Sequence, residues 1–381
     1  MGECDEVEVD SNLEAVLTDE QGFAPDWFSK PGDSLRALMV RRGVDPSEVA
    51  GRLQGGITTL RGLLDGSCAI DESHANALAD LLGGTVSFWL RRQANYEAAL
   101  ERAVDRATAT EPDEWLGLPV PGDRPRGRIS HETRRAEIRR RLAFFNVGTI
   151  KAWEARYGKI CSETLFRTSQ TFTSDRGAVL MWLRSGELGT DLVATRQWSA
   201  GNLYDRLQAI RTLTKIRSPE RFLPKLKALC AEAGVAVVAK KAPDGCRASG
   251  ASRMVAPDKA MILLSFRGLS DDKFWFTVFH EIGHLVLHGA KTFVDADMEN
   301  FDESEREANN FASCCIIPEN RIPEFHQLDV NRDAVIRFSV SVGVSPGLTV
   351  GQMQHRRMIR RNEMNYLKRH WKWNDLAAVM D

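Results

Sequence analysis

His280 and His284 stand four residues apart in FWFTVFHEIGHLVLHG (274–289), with Glu281 beside the first. On a helix, positions four apart share a face about one turn along, so the two imidazoles can present nitrogens to a single ion. Glu281 reaches the same cleft, placed to take a proton from water activated by that ion. This is the HExxH arrangement of a zinc hydrolase. The pattern has only three fixed positions, and a hydrogen-bonded histidine pair on an ordinary helix satisfies it too. A further ligand elsewhere in the chain would separate the two readings.

His288 continues the four-residue series. It lies about 12 Å from His280 along a helix axis at 1.5 Å per residue, too far to share an ion unless the helix breaks between them. Metzincins make that break with a glycine two residues after the second histidine. Val286 stands there, and Gly289 comes too late. His288 is therefore read as helix-terminal, supporting the ligands without being one. A tetrahedral catalytic zinc then needs a third protein ligand. The candidates lie in FDESEREANNFASCCIIP (301–318), a helix ending before Pro318. Its small and apolar stripe runs Ala308, Phe311, Ala312, Cys315 at helical spacing. Glu305 precedes Ala308 by one turn and lies on the stripe's side, and Asn309 is one turn further on that face, where it could orient a ligand. Ser304 with Glu307 has the spacing of a capping box, and so does Asp302 with Glu305. Glu305 is the favoured ligand, with Glu307 and Glu303 left open.

Two such helices need a scaffold. From Gly234 the pattern turns to short apolar runs, VAVVAKK and AMILLSF, read as strands. AMILLSF is either an edge that pairs with an extended substrate peptide or a plain core strand. Between about 126 and 232 the chain is mostly helical. Residues 101–125, rich in Asp, Glu, Pro and Gly, read as a linker. Residues 1–25 read as an acidic tail, and 361–381 as a basic, aromatic one.

FTVFHEIGHLVLH, EREANNFASCCIIP and VGVSPGLTVGQMQH, in that order, resemble the ImmA/IrrE family of zinc metallopeptidases over residues 222–360. The resemblance implies that His280, His284 and Glu305 bind Zn2+ and that Glu281 is the general base. It also implies a protein substrate of the helix-turn-helix repressor type. CCIIP departs from the family's more usual Leu-rich or Met-containing run, which touches packing and no catalytic position. For an oxyanion, His355, Arg253 and Tyr366 have suitable chemistry, and a surface or core role fits each of them as well.

Upstream, helices at 34–42, 46–54 and 57–64 joined by tight glycine turns fit a helix-turn-helix whose third element enters the major groove. Asp33 is placed as the first N-cap, Gly43 closes that helix, and Pro46 opens the next. PDWFSKPGDSLRALMVRRG and SFWLRRQANYEAAL look like the HigA-type antitoxin branch of the XRE family, so 26–100 is read as that domain. The reading helix ITTLRGLL carries Thr58, Thr59 and Arg61, types that contact base edges and phosphates, and few other donors. A module used for dimerisation or for docking a partner is the other reading. The arginines from Arg124 to Arg141 form either a solvated helix face or a phosphate-tracking patch.

The bulk numbers constrain the class. With 381 residues the chain exceeds one ordinary domain. It is 43% hydrophobic and 27% charged, enough to bury real cores. A net charge of −1 offers no global attraction to nucleic acid. Seven scattered cysteines without a CxxC pair suit a reducing cytoplasm. No signal core or membrane-length apolar run is present in the sequence. The expected fold is mainly α with a small β-sheet in the C-terminal domain: an N-terminal helical bundle, a helical middle region (101–221) and an α+β zincin-like domain. The two resemblances together imply a cytoplasmic zinc endopeptidase fused to a DNA-binding domain, regulating a stress, mobile-element or toxin–antitoxin locus. The competing expectation is a non-enzymatic repressor or antitoxin whose C-terminal domain senses a signal or holds a toxin. Homodimerisation through the N-terminal module, and no membrane association, complete the expectations.

Overall fold

In the computed structural model, residues 28–380 are described apart from 124, 126, 159–175, 290–292 and 296–302, so the acidic stretch 1–25 lies outside the described residues. Four short helices come first: α1 (Pro31–Arg42), α2 (Pro46–Arg52), α3 (Gly56–Asp65) and α4 (Glu72–Leu82). Local chemistry sets their ends. The carboxylates of Asp45 and Asp71 accept the N–H groups of Ser47 and His74 at 2.8 Å. Gly43 and Gly66 close α1 and α3 with φ of 65° and 83°, where a side chain would be strained. The first helix begins three residues earlier than expected. Asp33 is its third residue, accepting from the Lys30 N–H at 3.2 Å, and is not the cap itself. Leu35, Leu60, Leu63, Leu78 and Trp89 form the core of this module.

Trp89 belongs to α5 (Val86–Thr110), which is followed by α6 (Pro112–Gly117). The expected linker is therefore helical over 101–117, apart from the single residue between the two helices, and α5 runs straight through residue 100. Composition misled because it sums over faces. Ala103, Val104, Ala107 and Trp115 are buried, while Glu101 and Asp105 look outward to Arg135 at 3.2 and 2.5 Å. Arg135 lies on α7 (His131–Phe145), and Arg139 of the same helix also pairs with Glu101. Arg141 is buried against Glu137, 2.6 Å away. Arg135 and Arg139 thus tie α7 to α5 and Arg141 is paired within its own helix, while Arg124 and Arg126 lie outside the described residues.

The middle region continues through α8 (Ile150–Trp153), a π-helical turn (Glu154–Gly158), α9 (Arg176–Thr190), α10 (Ala200–Asp205), α11 (Leu207–Leu213) and α12 (Pro219–Ala231). A four-stranded sheet follows, from β1 (Val235–Ala239), β2 (Gly250–Ala256), β3 (Lys259–Leu264) and β4 (Phe293–Asp295), in the order β1-β3-β2-β4. β3 runs parallel to β1 and antiparallel to β2. It has a neighbour on each side, so AMILLSF is a core strand and offers no edge to a peptide. Its continuous apolar run is what a strand covered on both faces requires. Val237, Ile262 and Leu264 look toward one core, and Val238, Met261 and Leu263 toward another that includes Trp182 and Leu183 of α9.

The first of these cores is covered by α13 (Asp271–His288) and, after β4, by α14 (Glu303–Ile316), α15 (Ile322–His326), α16 (Arg332–Val342), α17 (Pro346–His355) and α18 (Trp373–Leu376). The C-terminal stretch is not a tail. Trp371 and Leu376 are buried in this core. Asp271 donates its N–H to the Arg369 carbonyl and accepts the Arg369 N–H, each at 3.0 Å. The Arg369 guanidinium reaches the carbonyls of Thr214, Lys215 and Ile216, and Lys368 Nζ reaches Asp272 at 2.6 Å. The basic residues that made the segment look like a tail fasten it to the start of α13. The chain is thus mainly helical with one small sheet. Among the described residues no single helix is long and apolar enough to cross a membrane.

Candidate metal centre

α13 carries the HEIGH residues with both imidazoles buried on one face. Asp271 and Asp272 sit in its first turn, where carboxylates complement the helix dipole. Asp271 is fully buried and accepts the Ser345 hydroxyl at 2.8 Å. Burial raises its carboxyl above the ordinary range, and the hydrogen bonds from Arg369 and Ser345 partly offset this. Halfway along, Gly283 faces α14. A Cβ there would lie 3.0 Å from Phe311 Cδ1 and 3.3 Å from the Ala308 Cα. The missing side chain is what lets α14 come close enough for Glu305 to meet the histidines.

Glu305 is buried, with one carboxylate oxygen 3.2 Å from His280 Nε2 and the other 3.3 Å from His284 Nε2. The two Nε2 atoms are 3.0 Å apart. Tetrahedral ligands at zinc distances of 2.0–2.1 Å would be separated by about 3.3 Å, so this donor set fits an ion of that size. The outer ring nitrogens are tied in a matching way. His280 Nδ1 lies 3.1 Å from Asn309 Oδ1, which requires the N–H there and leaves the Nε2 lone pair facing Glu305. His284 Nδ1 meets His288 Nδ1 at 3.2 Å, and His288 Nε2 meets Glu307 at 2.8 Å. A relay from Glu307 through His288 thus orients His284. Burial lowers the His284 pKa to about 4, against the raising effect of Glu305, so the ring is neutral and able to ligate. Burial alone would raise the Glu305 carboxyl, but the two imidazoles facing it hold it well below its ordinary value.

Glu281 is fully buried and faces β2. A Cβ at Gly250 would lie 2.5 Å from Glu281 Oε1 and 2.5 Å from Thr277 Cγ2, so Gly250 is the space into which the Glu281 carboxylate fits. Sequence reasoning missed this residue. The available signal was a glycine opening a strand, which marks close approach. Of the alternative ligands, Glu303 pairs with Arg306 at 3.3 Å and Glu307 with His288. The described part of α14 begins at Glu303, so Ser304 lies within its first turn. Asp302 lies outside the described residues. The three suggested oxyanion residues are spread out. His355 lies beyond Phe276, with ring centroids 6.4 Å apart, Tyr366 is largely exposed, and Arg253 bonds Glu187 on the opposite face of the sheet.

In the N-terminal module Thr58 and Arg61 are exposed along α3. The Thr59 hydroxyl donates to the Gln54 carbonyl at 2.7 Å and braces the turn between α2 and α3.

Residues 230–350 match the family model of the IrrE N-terminal-like domain, Peptidase_M78. The match takes in the end of α12, the whole sheet, α13 to α16 and the first half of α17, and it supports a peptidase domain of the ImmA/IrrE type in this part of the chain. All four residues of the centre fall inside it. The N-terminal helices and most of the middle region fall outside. No curated protein matches the chain.

Proposed function

We propose that the chain is a zinc-dependent endopeptidase joined to a DNA-binding helix-turn-helix module, and that it regulates transcription by cleaving a repressor-like protein. The observation that carries the peptidase reading is the convergence of His280, His284 and Glu305, with Glu281 buried one residue away, inside the stretch similar to Peptidase_M78. Two imidazoles and one carboxylate suit zinc better than the all-oxygen shells of calcium or magnesium. When bound, the ion supplies Lewis acidity that activates water and polarises the scissile carbonyl. Glu281 accepts the proton of the attacking water and delivers it to the leaving amine nitrogen. Asn309 and His288 hold the two rings so that both Nε2 lone pairs meet at one point. For the module, Thr58 and Arg61 on the outer face of α3 contact bases and phosphates, and Thr59 stiffens the helix-turn-helix corner.

The test uses full-length protein loaded with zinc and a co-expressed helix-turn-helix repressor. Glu281→Gln keeps about one zinc per chain and loses cleavage by roughly 100-fold or more. His284→Ala loses the metal as well. A wild-type chain that takes up no zinc ends the peptidase reading. Arg61→Ala weakens retention of the chain's own upstream DNA, and no retention by the wild type ends the operator reading.

A further inference from the structure

The turn that ends α17 carries arginines used neither by the metal centre nor by the packing of the C-terminal segment. Between Asp333 and Glu363 the sequence has no carboxylate and five arginines, four of them in HRRMIRR (355–361). Arg356 is half-buried, its guanidinium 5.8 Å from the Phe325 ring centroid. Arg357, Arg360 and Arg361 are exposed. Among the described residues the guanidiniums of Arg357 and Arg361 have no partner, and that of Arg360 has only Glu363, at 4.0 Å. The turn beneath them is firm. Ile359 is buried, and the Met358 N–H donates to the Met353 carbonyl at 2.9 Å. Gln354 Nε2 donates to the Glu363 carbonyl at 2.8 Å, and Lys368 Nζ to Gln354 Oε1 at 2.7 Å.

This patch adjoins the metal centre. Phe276, half-buried one turn before His280 on α13, has its ring centroid 6.2 Å from that of His280 and 6.4 Å from that of His355. Three rings thus lead from a proposed ligand to the exposed end of α17, where the arginines begin. Each step of the row matches about two residues of an extended chain at about 3.3 Å per residue. The backbone is strained there too. Arg357 follows the helix cap with φ 58°, in the left-handed region that favours glycine at this place. Among the described residues its guanidinium makes no contact that would offset the strain, and strain of this kind gathers where a side chain has work outside the fold.

We propose that Arg357, Arg360 and Arg361 form a basic rim that holds an acidic stretch of the protein substrate, about four or more residues to one side of the bond cut at the metal centre. The proposal rests on the peptidase reading and adds the substrate's chemistry, clustered Asp or Glu flanking the cut. Exposed guanidiniums on a firm base pair with carboxylates at little cost in desolvation, and their charge steers an acidic partner toward them. A polypeptide fits this rim better than nucleic acid, because whatever lies on it lies alongside the place where a polypeptide is cut.

Fluorescence anisotropy with the full-length, zinc-loaded Glu281→Gln chain tests it. The probes are two labelled twelve-residue peptides that share an apolar half and end in four glutamates or four glutamines. The glutamate peptide binds about tenfold more tightly, a ratio within reach of three exposed ion pairs, and the preference shrinks in about 0.5 M salt. Adding Arg357→Gln/Arg360→Gln/Arg361→Gln abolishes the preference and keeps the zinc. Arg357→Gly alone relieves the left-handed backbone, so it weakens glutamate-peptide binding about threefold without lowering Tm, a pairing that a merely structural arginine would not give. The proposal is overturned by equal binding of the two peptides or by a preference that survives the triple change. It is overturned too if duplex DNA, charge for charge, displaces the glutamate peptide better than unlabelled peptide does. The two readings fail separately: binding needs no turnover, so absent cleavage by the wild type counts against the peptidase, and equal peptide binding counts against the rim alone.

Discussion

The two faces of the sheet each bury a carboxylate among nitrogen-bearing side chains, and the kind of nitrogen decides what each face can hold. Glu305 lies between two imidazoles, which can be neutral and offer lone pairs. Three ligand atoms then converge with no proton between them and ion and face meet through lone pairs, as a cation needs. Glu187 lies among guanidiniums, which carry only donors. There the N–H groups outnumber the acceptors, as an anion needs. β2 separates the two arrangements: Gly250 receives Glu281 on one side, and Arg253 reaches Glu187 on the other. Burial is similar on both faces, so it is the proton inventory that distinguishes them.

The sharpest way to break this contrast is to remove each carboxylate in the metal-free protein. Glu187→Ala strands buried guanidiniums without a counter-charge and should cost about 3–5 kcal/mol. Glu305→Ala leaves two neutral rings and should cost about 1 kcal/mol. Urea unfolding monitored by circular dichroism measures both. Adding zinc at 1,000 times its dissociation constant should then stabilise the wild type by about 4 kcal/mol and leave Glu305→Ala unmoved. Equal losses for the two variants without metal would show that the Glu187 cluster carries no uncompensated charge.

The faces should also respond to opposite ends of the pH scale. In the metal-free chain the His284 pKa is lowered by burial to about 4, from about 6.5 when unfolded. Between those values the unfolded chain binds the extra proton, so stability falls as pH drops from 6.5 toward 4, by about 3 kcal/mol at most for this group. Lys30 and Lys259 are each lowered by burial to about 8. The folded chain then holds fewer protons from pH 8 up to the unfolded value of about 10.4, so stability rises with pH across that window. Unfolding free energies at pH 5, 7 and 9.5 test both signs. His284→Ala should flatten the acid limb alone, and Lys30→Met should lower the slope of the alkaline limb alone.

A smaller effect isolates ligand support from ligation. Asn309→Ala removes the acceptor for His280 Nδ1 and keeps all three ligands, so zinc affinity should fall about 10- to 100-fold. Competition with a chromogenic chelator reads this directly. The Glu187 cluster on the other face should be indifferent to it.

The metal side of the sheet was far more legible in the sequence than the arginine side. Residues at i and i+4 on one helix must share a face, so HEIGH could be placed from spacing, which also favoured Glu305 and Asn309 while leaving Glu307 and Glu303 open, and His288 was set aside by its distance along a helix without a glycine break. β1 and β3 were visible as unbroken apolar runs. β2 was not, because GASRMVA has Ser252 and Arg253 at its centre and no apolar run long enough to stand out. Residues 101–117 and the C-terminal segment were misread for one reason: average composition hides which side chains face inward, as with Trp115 and Trp371. Lys30, Asn146, Glu187 and Arg253 come together only through tertiary folding, and no local period links positions so far apart.

The smallest expected effects come from the strand that both faces share, where neighbouring residues look in opposite directions. Gly250 opens toward Glu281, and Ala251 is fully buried in the core beneath α9. Gly250→Ala pushes a methyl against Glu281 and Thr277, costing about 1 kcal/mol as neighbours shift. Because the group displaced is the proposed proton carrier, turnover should fall by more than stability does. Ala251→Gly removes a packed methyl and loosens the strand, also costing about 1 kcal/mol, yet it leaves Glu281 in place. Thermal denaturation alone should barely separate the two variants, whereas cleavage of the repressor substrate by zinc-loaded protein should, with only Gly250→Ala impaired. If Ala251→Gly impairs cleavage equally, the two faces are coupled through β2, and the chemistry on one side cannot be treated apart from the charge on the other.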